Sequence, residues 1–468
     1  MSEASNPIRF PNTGNRRIMT NRGWWLLVAN VLVPGSAQLL AGNRRLGRIG
    51  ITATAIAWFV VILGLILNAA WPVAAFTIAT TPFVMFLAQV GLICYAILWV
   101  VLTFDTLRLI RLVKTGPRAR FWLPGVALVL VAVFSGTSVW ASSLVGGAQG
   151  LLTKVGVAAP AVEPVDGRYN FVVMGTDSDT QRDSTNEGQR PDSLQVISVD
   201  ASTGAAVSLG FPRDLHNIVF PASSPLAAAY PNGYTESDAD YCTEWACLNT
   251  IFVDAEEKHA DLYPQAKKLG VSPGVLAMMD AAEGITGLKM QFYVVVNMDG
   301  VVSLIDAVGG VTINVDERVA LANYGTPEDE VPAWIESGVQ HLDGWHALMY
   351  ARSRWAPTGD YDRMGRQQKL LAALQQQMNP VNVLSKFQQI SAAGGHMVST
   401  NIPQPMFGTL VDLALKSRKA GFTGVAFTPF SSGSAQIDPH DPDYTRIQAY
   451  IHELVYPPVA SESPTPTP

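Results

Sequence analysis

Four short stretches bring arginine and aspartate together in the later part of the chain, where arginine is otherwise scarce. "VMGTD" places Asp177 at the end of an apolar run, "RPDS" holds Arg190 and Asp192, and "FPRD" holds Arg213 and Asp214 just after a second β-like run. The fourth, "YARSRWAPTGDYDRMGRQQ", sets Arg352, Arg354, Asp360, Asp362, Arg363, Arg366 and Gln367 within sixteen positions. Arg352 and Arg354 alternate along an extended segment and so point the same way, while Arg363, Arg366 and Gln367 fall at i, i+3 and i+4 on one helix face. Guanidinium groups that converge repel one another unless a polyanion lies between them, and their planar fork suits phosphate oxygens. Two strand-end carboxylates, Asp177 and Asp192, add the donors of a hard-cation site, because Mg²⁺ is held by one or two carboxylates together with substrate phosphates. The chemistry this set points to is binding of a magnesium pyrophosphate. A single Arg-Asp pair is most often only a surface ion pair, but four such clusters at strand ends of an acidic domain favour a site.

Those clusters need a rigid frame. "RYNFVVMGTD", "SLQVISVDASTGAAVSLGFPRD" and "MQFYVVVNMDGVVSLIDAVGGVTINVDERV" contain strand patterns, and helical patterns fill 264–286, 299–308, 343–352 and 360–378. Strands alternating with helices predict an α/β fold, an α-β-α sandwich around a central mixed β-sheet, over 167–455. "VVSLIDAVGGVTINV" reads as packing, with Gly309 and Gly310 turning the chain into a strand. His341 and His346 have no partnering motif and read as structural. Tyr350, Trp355 and Tyr361 are placed to line a lipid or sugar channel, although aromatics between helices more often pack a core. The tail 456–468, "SESPTPTP" at its end, has nothing to bury and is expected to be disordered.

Composition separates this domain from what precedes it. The chain has 468 residues, 48% hydrophobic and 15% charged, too apolar for an ordinary soluble protein. Residues 1–120 hold 12 Lys and Arg against 2 Asp and Glu, and the remainder 20 against 36. An acidic C-terminal part argues against nucleic-acid binding, which needs a basic face. Residues 49–104 run for 56 positions without a charge, enough for two membrane helices, and a second uncharged run starts at 121. An all-helical transmembrane region over 24–145 is therefore expected, with spans at about 50–76, 83–104 and 121–145 and a re-entrant or interfacial segment at 24–42. It follows a cytoplasmic tail, 1–23, and leads into a linker, 146–166, that lifts the domain off the membrane. Arg44, Arg45 and Arg48 before the hairpin, and Arg108, Arg111, Lys114, Arg118 and Arg120 after it, belong on the inside. The last span then delivers the α/β domain to the exterior. There, Cys242 and Cys247 are close enough for a small disulfide loop, whereas Cys94 sits in an apolar run as a packing residue. HExxH, GxSxG, GxxxxGK[ST] and GxGxxG are all missing from the sequence, so the common hydrolase and NTPase templates gain no support.

Taken in order, "NFVVMGTD", "RPDSLQVISVD", "GFPRD", "YVVVNMDGVVSLIDAVGGVTINV", "GVQHLDGWHALMYARSRW" and "GDYDRMGRQQKLLAAL" resemble the LytR-CpsA-Psr family of cell-wall phosphotransferases over about 169–376. The resemblance implies a bacterial multi-pass membrane protein whose extracellular domain moves a glycan polymer from a polyprenyl-pyrophosphate carrier to peptidoglycan, as a phosphodiester to the muramic acid 6-hydroxyl. It implies Mg²⁺ or Mn²⁺ near Asp177 and Asp192, and pyrophosphate binding by Arg190, Arg213, Arg352, Arg354, Arg363 and Gln367, beside a hydrophobic tunnel for the prenyl chain. Arg352, Arg354 and Asp360 are the expected catalytic set, with Asp360 either orienting the arginines or taking the acceptor proton. Two departures bear on the choice of polymer or acceptor. Asp179 stands where the family often has arginine, with Arg182 further along, and "YCTEWACLNTIFVDAEE" replaces the usual "INxAY" helix. A pyrophosphatase or a non-catalytic glycolipid-binding regulator would use the same pocket.

Overall fold

The computed structural model describes residues 8–71, 74–75, 78–79, 81–155, 157, 159–176, 191–235, 247–322, 326–377 and 398–457. It divides into two compact units at Gly150.

The first unit is helical: α1 (Arg16–Leu32), α2 (Ser36–Ala41), α3 (Arg44–Ala70), α4 (Pro82–Ile110) and α5 (Pro117–Val155), the last running on beyond the unit's end. Asn15 and Asn43 cap α1 and α3 by accepting from the first free backbone N–H groups. Three helices are long and apolar enough to cross a membrane, over Arg44–Ala70, Phe83–Lys114 and Pro117–Ser143. The segment expected at 24–42 is not one helix. The chain turns at Gly35, whose φ of 97° is left-handed, and α1 and α2 both lie against the later half of α4. Asn30 donates to Thr103 Oγ1 at 3.2 Å, and Gln38 donates to the Leu102 carbonyl at 2.8 Å and to Thr106 at 2.9 Å.

The second unit is a mixed α/β domain. Its central sheet has the order β10 (Phe422–Ala426), β3 (Ala206–Phe211), β2 (Pro191–Asp200), β1 (Arg168–Thr176), β4 (Phe292–Asn297), β9 (Val398–Thr400). The pairs β1–β4 and β3–β10 are parallel, and the others are antiparallel. Val172 and Met174 are fully buried with Val196 and Leu209 in a core that includes α6 (Ile251–Glu257), α7 (Pro273–Thr286) and α12 (Tyr444–Val455). A second core joins α8 (Met298–Val308), α9 (Gly344–Arg352) and α10 (Asp360–Gln377) to a small ribbon of β5 (Val311–Val315) and β8 (Gly338–Leu342). Strands β6 (Val319–Ala320) and β7 (Trp334–Ile335) make a second short ribbon, and α11 (Phe407–Ala420) packs Leu413 with Phe292. His341 serves structure as expected, its ring within hydrogen-bond distance of Gly309 O and Thr312 Oγ1.

The expected linker begins as helix, since α5 reaches Val155, and then adheres to the α/β domain. Val157 N–H donates to Ile402 O at 3.0 Å, and Gln404 N–H donates to Val157 O at 3.1 Å. At the start of β1, Arg168 is buried. It donates to Ser198 Oγ at 2.8 Å and faces Asp200 at 3.6 Å. Burial alone would raise the Asp200 pKa, but hydrogen bonds from Ser202 and Thr203 outweigh it and hold the carboxyl at about 2 instead of 3.8. A depressed carboxyl stabilises the fold above its unfolded pKa and loses that contribution as pH falls through the folded one. Urea midpoints are expected to fall between about pH 4 and pH 2 in the wild type. They should fall less in Asp200→Asn.

Candidate active site

The fourth arginine cluster is built by two helices and the turn between them. Asp343 caps α9 by accepting from His346 N–H at 2.8 Å, and the helix ends at Ser353 with φ −55° and ψ 132°. Arg352 is thus the last helical residue, not part of an extended strip alternating with Arg354. Gly359, at φ 58°, then turns the chain into α10. Arg366, expected on the ligand face, has another task. Its Nε donates to Tyr350 O at 2.9 Å, and its second arm donates to Ser353 O. It caps the carbonyls at the end of α9 and so sets where the 352–354 segment leaves the helix.

Asp360 is the centre on which the cluster gathers. Its Oδ1 lies 3.0 Å from Arg354 Nε and 3.7 Å from Arg213 Nε, and its Oδ2 accepts from Arg363 at 2.9 Å. The loop after β3, distant in sequence, and the neighbouring turn after α9 and first turn of α10 therefore place guanidinium groups around one carboxylate. Tyr361, the next residue, donates to Asp214 Oδ2 at 3.0 Å and so ties α10 to the same loop after β3. Burial first, and then the neighbouring Asp214, push the Tyr361 phenol well above its usual pKa. It remains a neutral donor throughout the physiological range.

Two cavities meet at these arginines. A polar one of about 440 Å³ is lined by Arg352, Ser353, Arg354 and Arg363, and is walled by Leu321, Thr326 and Pro332 from the β6–β7 segment. An apolar one of about 340 Å³ shares Arg352 and Arg363 with the first. The sheet contributes Val173, Val294 and Val296 to it, α8 contributes Val301 and Leu304, and α10 contributes Leu371 and Leu374. Gln367 lines this apolar cavity and lies 3.4 Å from Ala351 O and 3.5 Å from the Gln195 amide. The arrangement sets an arginine-rich pocket suited to an anion beside an aliphatic chamber suited to a hydrocarbon chain, with Arg352 and Arg363 lining both.

Of the expected site residues, Arg213, Arg352, Arg354, Asp360, Arg363 and Gln367 come together in this way. Asp177, Asp179, Arg182 and Arg190 lie outside the described residues, as does Cys242. Cys247 is disulfide-bonded, and Cys94 is free. Asp192 is described as backbone only. Gly175 pairs with Ser193 while Thr176 pairs with Pro191, so Asp192 is the extra residue of a β-bulge at the end of the β1–β2 ladder. Among the described residues no three His, Cys, Asp or Glu side chains cluster as metal ligands. The donors expected for a cation, Asp177 and Asp192, are carboxylates, the hard-oxygen type of ligand that Mg²⁺ or Mn²⁺ takes.

Sequence reasoning missed the role of α8. The "VVSLIDAV" run packs Ile305 into the core, as expected, but also offers Val301 and Leu304 to the apolar cavity. The helical period of apolar residues was a signal for a buried face, and nothing in it distinguishes a core from a chamber wall. The aromatic residues are not that wall. Tyr350 is buried in the second core, and Trp355 stacks edge-on against Trp334 while donating to Thr326 O at 2.7 Å.

Residues 152–438 match the model of the LytR_cpsA_psr family. Among curated proteins, the chain is 26% identical over 238 residues to Biofilm regulatory protein A of Streptococcus mutans, covering 50% of each chain. It is 30% identical over 148 residues to the polyisoprenyl-teichoic acid–peptidoglycan teichoic acid transferase TagU of Enterococcus faecalis, covering 31% of this chain and 45% of that one. With the cell wall biosynthesis protein LcpA of Corynebacterium glutamicum it shares 28% identity over 248 residues, 48% of this chain and 43% of that one. The chain thus spans half or less of the length of each of these relatives.

Proposed function

The chain belongs to the LytR-CpsA-Psr family, and from that membership and the site geometry we propose that it transfers a glycan polymer from a polyprenyl-pyrophosphate carrier to peptidoglycan. The observation that carries this reading is the junction of an arginine-lined polar cavity with an aliphatic one at Arg352 and Arg363. A carrier lipid has the same two-part chemistry, a pyrophosphate joined to a hydrocarbon chain. Relatives named as teichoic acid transferases acting between a polyisoprenyl carrier and peptidoglycan support the direction of transfer.

In the proposed reaction the muramic acid 6-hydroxyl attacks the phosphorus nearest the glycan. A new phosphodiester bond forms, the bond to the bridging oxygen breaks, and prenyl phosphate leaves with that electron pair and takes up the proton lost by the hydroxyl. Arg213, Arg352, Arg354 and Arg363 hold the pyrophosphate with Gln367 and stabilise negative charge as it shifts toward the leaving oxygen. Asp360 acts as a positioning residue, since both its oxygens already face arginines, which favours orientation over proton acceptance. Arg190 joins the anion-binding set in this proposal. A divalent cation, held by Asp177 and Asp192, would supply further charge neutralisation on phosphate oxygens.

The three apolar helices are proposed to cross the membrane with the arginine-rich ends inside, which carries residues 167–455 to the exterior where lipid carrier and wall meet. Filling the apolar cavity tests the lipid half of the assignment. Val301→Trp is expected to raise KM for a long-chain prenyl-pyrophosphate glycan on the order of tenfold, roughly the worth of one or two buried methylene groups. It should leave KM for a substrate with a one-isoprene tail unchanged. Equal KM values for the long substrate in variant and wild type would place the lipid elsewhere.

A further inference from the structure

The loop that carries Arg213 is gripped by the turn that begins at Cys247. Asn249 N–H donates to Arg213 O at 3.1 Å, and Leu248 N–H donates to Leu215 O at 2.9 Å. The turn itself is closed on Cys247. Thr250 returns both its backbone N–H, at 2.9 Å, and its hydroxyl, at 2.7 Å, to the Cys247 carbonyl. Cys247 is fully buried and disulfide-bonded, and its Sγ lies 3.3 Å from Nε2 of His216, on the same loop as Arg213. A continuous set of short contacts thus runs from the disulfide through the turn to the Arg213 backbone, and from the Arg213 side chain to Asp360. This segment is also where the sequence departs from its family pattern.

We infer that the disulfide at Cys247 is a positioning element for Arg213, setting the distance between that guanidinium and the Asp360 cluster. A disulfide removes conformational freedom that the chain at Cys247 would otherwise have. Here the restricted backbone supplies two of the hydrogen bonds that place the loop after β3. Arg213 is carried by a loop with its side chain about a third exposed, and a fixed geometry there depends on supporting contacts. Loosening the turn lets Arg213 move away from the pyrophosphate while Arg354 and Arg363, carried by other elements, stay in place. The inference rests on the anion-binding role proposed for Arg213, and its test keeps the two apart.

The test uses the full chain in detergent with geranyl pyrophosphate as probe, and measures binding in wild type, Cys247→Ala, Arg213→Ala and the double variant. Cys247→Ala is expected to weaken binding on the order of tenfold when Arg213 is present and to have almost no further effect in Arg213→Ala, the signature of two residues acting as one unit. A purely structural disulfide would lower binding equally in both backgrounds, and that result overturns the inference. Should Cys247→Ala fail to fold, dithiothreitol added to the folded wild type and to Arg213→Ala gives the same comparison. Dithiothreitol reduces the protein disulfide to two cysteine thiols and is itself oxidised to its cyclic disulfide, and Cys94→Ser controls for the free cysteine. Undiminished binding by the reduced wild type also overturns the inference. If the oxidised wild type does not bind the probe, the pyrophosphate-site assignment itself fails, and this inference with it.

Discussion

Arg354→Ala is expected to lose transfer by about a hundredfold to a thousandfold, the scale on which removing one preorganised donor to a developing oxyanion slows a reaction. Arg354 sits at the polar cavity with its Nε 3.0 Å from Asp360 Oδ1, so its side chain is aimed before substrate arrives. It belongs to no hydrophobic core, and its side chain is about a third exposed. The variant should therefore keep the wild-type urea midpoint while losing turnover. Lysine at this position is expected to restore little, because an ammonium is a point charge without the planar fork that grips two phosphate oxygens. A purified Arg354→Ala chain with wild-type turnover would remove this residue from the site.

The second large effect is expected at Asp360, and it has a different profile. Asp360→Ala removes the carboxylate shared by Arg213, Arg354 and Arg363, of which Arg363 has a side chain only 4% exposed. Taking one partner from a buried ion pair costs on the order of 3 kcal/mol. This variant should lose stability as well as about a hundredfold in transfer. Asp360→Asn keeps the shape of the side chain without its charge. If Asp360 orients the arginines, the asparagine variant retains the pH–rate profile of the wild type at a reduced rate. Loss of the acidic limb of that profile would instead identify Asp360 as the proton acceptor.

How much of this was legible in the sequence depended on the range of the interaction. Helix α10 could be read with its true start at Asp360, and strands β1, β2 and β4 follow from apolar runs ending at polar residues. Helical spacing was enough to put Arg363 and Gln367 on one face of α10. The same spacing put Arg366 on their face, yet its guanidinium turns to the carbonyls ending α9, because a helix end leaves acceptors whose position no local pattern reveals. The gathering of Arg213 with Arg354 and Arg363 on Asp360 joins residues about 150 positions apart, and only the packed sheet and helices create it. The dual use of α8, core on one side and chamber on the other, was invisible for a related reason. Apolar periodicity reports that a face is covered, and it does not report whether protein or ligand covers it. In the first unit the chain turns at Gly35, but the return of α2 beside α4 depended on the amide of Gln38 finding Leu102 and Thr106.

The most direct test of the central claim is product analysis by mass spectrometry. The purified full chain in detergent is incubated with a short prenyl-pyrophosphate glycan, Mg²⁺ and muramyl-containing peptidoglycan fragments. The account predicts a glycan joined through one phosphate to the muramyl fragment, together with an equal amount of prenyl phosphate. Prenyl phosphate released without an adduct would contradict transfer and make the protein a pyrophosphatase. Bound but unconverted lipid would contradict catalysis altogether.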